Sequence, residues 1–148
     1  MRKLWIFVSV IGIAVGVVGA GGLAAPAGAK SSNPVNISGK VNVKGKKDVS
    51  GKTSATIELE ADNYYFNPTF VKASPGEKIT VEFKNEGNTT HTFTSDKLGV
   101  DKQLAPDKST KFTFTVPSSG TAFQFHCSIH EDMGMKGAVY TKAGGKAS

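Results

Sequence analysis

Residues 125–137 read FHCSIHEDMGMKG and hold the only cysteine, two of the three histidines and two of the three methionines of a 148-residue chain. The third histidine, His91, lies upstream in TTHTF. In TAFQFHC the apolar residues alternate, so a strand there turns Cys127 to the same side as Phe123 and Phe125 and His126 to the other. Residues 128–134 have no strand pattern. The chain must turn there and can carry His130 and Met135 back over Cys127, with Met133 as a rival thioether. A thiolate, imidazole nitrogens and a thioether are soft donors, which suit Cu(I)/Cu(II) better than oxygen-preferring Mg or Ca. One more strong ligand is needed, and His91 is the histidine left once His126 faces away. A His, His, Cys plane with a weak axial Met accommodates both oxidation states of one copper ion, the condition for passing single electrons. A zinc site would leave the methionine idle. Glu131 and Asp132 read as a solvated turn and not as a general base.

The elements that would hold these residues follow from period-two runs. They are ATIELEA, TFVKAS, KITVEFK, TTHTFTS, TKFTFTV, TAFQFHC and KGAVYTK. Turn-forming clusters of Asn, Pro, Gly, Asp and Ser separate them. About seven short strands without an amphipathic helix predict an all-β, Greek-key β-sandwich. Phe66, Phe70, Phe83, Phe112, Phe114, Phe123 and Phe125 supply its core. Residues 97–107 form the longest irregular stretch, with room for one helical turn.

The pattern C-x-x-H-x-x-x-x-M-x-G, realised as Cys127, His130, Met135 and Gly137, resembles the C-terminal copper loop of plastocyanins and pseudoazurins. Upstream, YYFNPTFVKASPGEKITVEFKNEGNTTHTF is similar to the cupredoxin segment that ends in the first histidine ligand. The resemblance spans about residues 57–141. It implies a small blue copper protein whose metal ligands are His91, Cys127, His130 and Met135. Met135 is preferred over Met133 because only Met135 is followed by x-Gly. Two positions depart from the family's habit. His126 stands where an aromatic residue commonly precedes the cysteine, and Thr92 stands where Asn commonly follows the first histidine. His126 is either a surface residue or part of an electron exit route.

Outside the domain, Arg2 and Lys3 precede an apolar run, and Ala27-Gly28-Ala29 has the small-x-small form of a signal-peptidase site. Residues 1–29 are therefore expected to be a secretory signal peptide, or an uncleaved anchor. Residues 30–52, rich in Gly, Ser, Asn and Lys, are expected to be a flexible Lys-rich linker, with the domain occupying 53–148. The net charge of +6 divides as +2 over the leader, +5 over the linker and −1 over the domain. A slightly acidic body argues against nucleic-acid binding, while the basic stretch allows membrane-surface association or a mere spacer role. One cysteine makes no internal disulfide, and a free thiol exported to an oxidising compartment must be buried or bound.

Three function classes follow. The first is an exported, monomeric one-electron carrier, periplasmic or extracellular, working between a protein donor and acceptor. The second is a copper-binding or delivery protein that does not cycle its metal. The third, a copper oxidase or nitrite reductase, resembles multi-domain assemblies with a second, histidine-rich centre, which three histidines do not furnish. The expectation is a protein without enzymatic activity of its own.

Overall fold

The computed structural model describes residues 32–148, so the expected leader lies outside the described residues. Among those residues, ten strands form two sheets. They are β1 (Lys46–Asp48), β2 (Ser54–Asp62), β3 (Tyr65–Asn67), β4 (Phe70–Lys72), β5 (Lys78–Asn85), β6 (His91–Ser95), β7 (Val100–Leu104), β8 (Ser109–Thr115), β9 (Ala122–His126) and β10 (Lys136–Tyr140). The six-stranded sheet runs β1-β4-β10-β9-β6-β7 and the four-stranded sheet runs β3-β2-β5-β8. No helix among the described residues is long and apolar enough to cross a membrane.

The four-stranded sheet shows the sequence logic most clearly. Ile57, Leu59 and Ala61 of β2, Ile79, Val81 and Phe83 of β5, and Phe112 and Phe114 of β8 all face inward, and the residues between them stay largely in solvent. Parallel β2–β5 pairing and antiparallel β5–β8 pairing set these residues in register. They meet Phe93, Phe123, Phe125 and Val139 of the facing sheet in one core. Phe93 and Phe125 stack with ring centroids 4.7 Å apart, and Phe66 meets both of them edge-on.

Three strands go beyond the seven expected, and each lacks an alternating apolar signal. In β7 only the end residues Val100 and Leu104 are buried, so residues 97–107 hold a strand paired with β6 where a helical turn was allowed for. β1 is wholly exposed and owes its existence to parallel pairing with β4. β3 is a three-residue return alongside β2.

The stretch expected to be a flexible linker is instead packed onto the sheet from Ser32 onward. The outer face of the six-stranded sheet is apolar at Phe70, Ala122, Ala138 and Tyr140, and Val35, Ile37 and Val41 cover it. Val49 is buried in the main core. Phe70 thus belongs to this outer layer and not to the sandwich core. All five residues of β10 are buried because both faces of that strand are covered. Leaving this patch bare would expose a contiguous apolar surface, which a basic but β-branched segment prevents.

Candidate metal centre

The approach to His91 is fixed by Asn85, the wholly buried last residue of β5. Its Nδ2 donates to the carbonyls of Thr89 (2.8 Å) and Leu104 (3.0 Å), and its Oδ1 accepts from the Gly87 N–H (2.9 Å). The Glu86-Gly87-Asn88 turn is thereby held beside β7, and β6 starts at His91 with its side chain sealed from solvent. Gly87 is required there, since a Cβ would come within 2.7 Å of His91 Nε2 and 2.6 Å of Asn63 Oδ1.

Cys127 follows the last residue of β9 and enters the core beside Phe125. Its N–H donates to the Met135 carbonyl (3.0 Å), and its carbonyl accepts from the His130 N–H (3.0 Å). The chain then winds through a 3-10 turn, Glu131–Met133, and leaves it at Gly134, whose φ of 94° only glycine adopts readily. This winding returns His130 over the cysteine. His130 Nδ1 lies 3.4 Å from Cys127 Sγ, His91 Nδ1 lies 3.8 Å from that sulfur, and the two Nδ1 atoms are 3.2 Å apart.

These three distances define a triangle whose circumscribed circle has a radius of about 2.0 Å, close to ordinary metal–nitrogen bond lengths and slightly short of metal–sulfur ones. Among the described residues this is also the one group of three His, Cys, Asp or Glu side chains with converging donor atoms. His91 Nε2 lies 3.1 Å from Asn63 Oδ1, an oxygen that only accepts, so the proton sits on Nε2 and Nδ1 offers its lone pair inward. Burial first, and then the neighbouring His130, lower the His91 pKa from 6.5 to about 4, against a weaker upward pull from Asp62. Burial lowers that of His130 as well. Both imidazoles are therefore neutral at pH 7, the state in which imidazole binds a metal. Converging lone pairs and a thiol in a dry pocket fit a soft cation, and copper satisfies that donor chemistry.

The two methionines separate cleanly. Met135 is wholly buried in the same core as Cys127, whereas Met133 is 43 % exposed. His126 points away from the cluster, with its Nε2 3.8 Å from Glu131 Oε2. Thr92, the departure from the family's habit, takes on a locking role. Its N–H donates to Cys127 Sγ (3.3 Å), and its Oγ1 accepts from the Ser128 N–H (2.8 Å). A short hydroxyl can thus fasten β6 to the start of the loop.

Sequence reasoning did not find Asn63, Tyr64 or Asn42. Asn63 orients His91, and Tyr64 lies across His130 with ring centroids 4.6 Å apart. Asn63 and Tyr64 fall between the first two period-two runs and Asn42 in the stretch expected to be linker, and nothing in their spacing marks them.

The family model for a cupredoxin-like domain matches residues 35–140. No curated protein matches the chain. Among solved structures, the dithionite-reduced auracyanin of the photosynthetic bacterium Roseiflexus castenholzii is 22 % identical with a TM-score of 0.50, over 58 % of this chain and 95 % of that one. The metal-binding domain of the Cu(I)-exporting P-type ATPase CopA of Streptococcus pneumoniae D39 is 16 % identical with a TM-score of 0.53, over 68 % and 98 %. A copper nitrite reductase from Nitrosomonas europaea is 18 % identical with a TM-score of 0.51, over 60 % of this chain and 41 % of the reductase. At these identities the likeness is one of fold.

Proposed function

The chain belongs to the cupredoxin-like family, and from that premise we propose that it is a type 1 copper protein carrying single electrons between protein partners outside the cytoplasm. One observation carries the reading: two neutral imidazole nitrogens and a thiol sulfur, all on buried side chains, converge at 3.2–3.8 Å. His91 Nδ1, Cys127 Sγ and His130 Nδ1 would hold the ion, and buried Met135 would offer its thioether as a fourth, weaker donor.

When bound, copper supplies a one-electron couple. The chain does the rest. The Thr92 N–H shares the charge of the Cys127 thiolate and so tunes the affinity of the site for an electron. Asn63 holds the His91 ring in one tautomer and one orientation. The aromatic layer of Phe66, Phe93 and Phe125 below the cysteine keeps water out and resists rearrangement. His130 is the donor nearest to solvent, 9 % exposed where His91 is fully covered, and exposed Ile129 and Met133 flank it. Electrons would enter and leave by this edge. Export, with the basic segment resting on or near a membrane surface, completes the proposal, and the active form is a monomer.

The test is optical. The copper-loaded protein should show an intense visible thiolate-to-copper band, bleach with a reductant and recover with an oxidant, and Cys127→Ser should abolish the band. Copper that binds without the band, or with a band that survives Cys127→Ser, overturns the assignment. A metal that binds through Cys127 but does not cycle points to copper delivery. Two coppers per chain by elemental analysis reopen an enzymatic role.

A further inference from the structure

Asn42 lies in the segment that packs over the six-stranded sheet, yet its side chain reaches the edge of the copper pocket. Its Nδ2 donates to two carbonyls at once, that of Tyr64 (2.7 Å) and that of Met133 (2.9 Å). Its own N–H donates to the Gly134 carbonyl (2.9 Å). One residue therefore ties the β2–β3 turn, whose Tyr64 ring lies against His130, to the end of the ligand loop. Four residues earlier the Ser38 carbonyl accepts from Lys136 Nζ (2.9 Å), and Lys136 is 9 % exposed and directly follows Met135. The contact is close enough that Gly39, at φ 77°, would bring a Cβ within 3.3 Å of that ammonium group.

We infer that residues 38–42 act as a clasp over the copper loop, with Asn42 as a positioning residue that sets where His130 and Met135 sit relative to Cys127. The inference rests on the copper reading above. The physical case is that the loop between His130 and Met135 is closed by hydrogen bonds among its own residues and Cys127, while the Met133 and Gly134 carbonyls on its far side are held by Asn42. It is wound by its local hydrogen bonds and released by a left-handed glycine, so its spread depends on what holds Met133, Gly134 and Lys136 from outside. Both donors of the Asn42 amide are spent on this task, and neither could be supplied by an isosteric carboxylate.

The discriminating variants are Asn42→Asp, which keeps size but loses donation, and Asn42→Ala. Val49→Ala serves as a control that removes buried packing from the same segment without touching its hydrogen bonds to the loop. In the full-length protein, copper affinity by chelator competition should weaken by about 10-fold in both Asn42 variants, the lower end of the range for losing a group bonded directly to a metal ligand, since Asn42 acts one step further out. The visible band and the copper hyperfine splitting should shift as well. In copper-free protein the amides of Gly134 and Met135 should exchange faster. Val49→Ala should lower thermal stability while leaving affinity, spectrum and loop exchange as in the wild type. Asn42 variants with wild-type affinity, spectrum and loop exchange would overturn the clasp, as would a Val49→Ala that changes them equally. A wild-type protein without the thiolate band would instead remove the copper reading, and the clasp with it.

Discussion

Asn63 spends its Oδ1 on His91 Nε2, and that single acceptance decides which nitrogen faces the thiol. At this scale the convergence of His91, Cys127 and His130 was readable in the sequence because cysteine and histidine are scarce in it and few uses bring them together. Their supports were not. Asn63, Thr92 and Asn42 are ordinary turn and strand residues, and their roles depend on partners 28, 35 and 91 positions away. The lowered pKa values give a directional prediction for the copper-free protein. His91 stays neutral in the fold down to about pH 4, whereas the unfolded chain takes up a proton near the ordinary value of 6.5. The unfolded state then binds more protons in that window, so stability is full above about pH 6.5 and falls as the pH drops toward 4. His130 adds in the same direction. Urea titrations across this range should show the loss, and His91→Gln should flatten it.

β10 is the element on which the site turns, because it follows Met135 directly and lies between β4 and β9. Its second residue, Gly137, pairs with Phe125 and would, if given a Cβ, collide with that ring and with the Thr69 carbonyl. A carbonyl in a ladder cannot swing aside as a flexible side chain does. Gly137→Ala should therefore cost about 3 kcal/mol by overpacking, measured as a shifted denaturation midpoint. The same glycine carried the resemblance of the loop motif, and its conformational duty is this close approach. Strands with inward alternation, such as β2, β5 and β8, were legible from period two. β7 was not, since three polar residues separate its two buried ends, and β1 was not, since its three residues are all exposed and only its neighbour makes it a strand.

On the scale of the whole described chain, the largest departure from the sequence reading is residues 32–52. Composition alone made them a spacer, but Val35, Ile37, Val41 and Val49 are spaced so that each can reach a buried site while the lysines between them stay wet. A chain starting at Thr53 should lose at least about 3 kcal/mol, since Val35 and Val49 each bury a full side chain and Phe70 and Tyr140 become bare. Urea denaturation of the two lengths side by side would measure it. The parallel pairing of β4 with β10 joins stretches some seventy positions apart, with Phe70 opposite Ala138. Such distant partners find each other slowly, on the order of milliseconds to seconds for β-rich topologies. No fragment of the nascent chain that stops short of residue 130 can present the three converging donors together, because His91 and His130 lie 39 positions apart. An ion that needs all three donors at once therefore finds them only in a chain whose β6 and β9 have been brought together, and the cell's supply of metal meets the assembled shell rather than a short peptide motif.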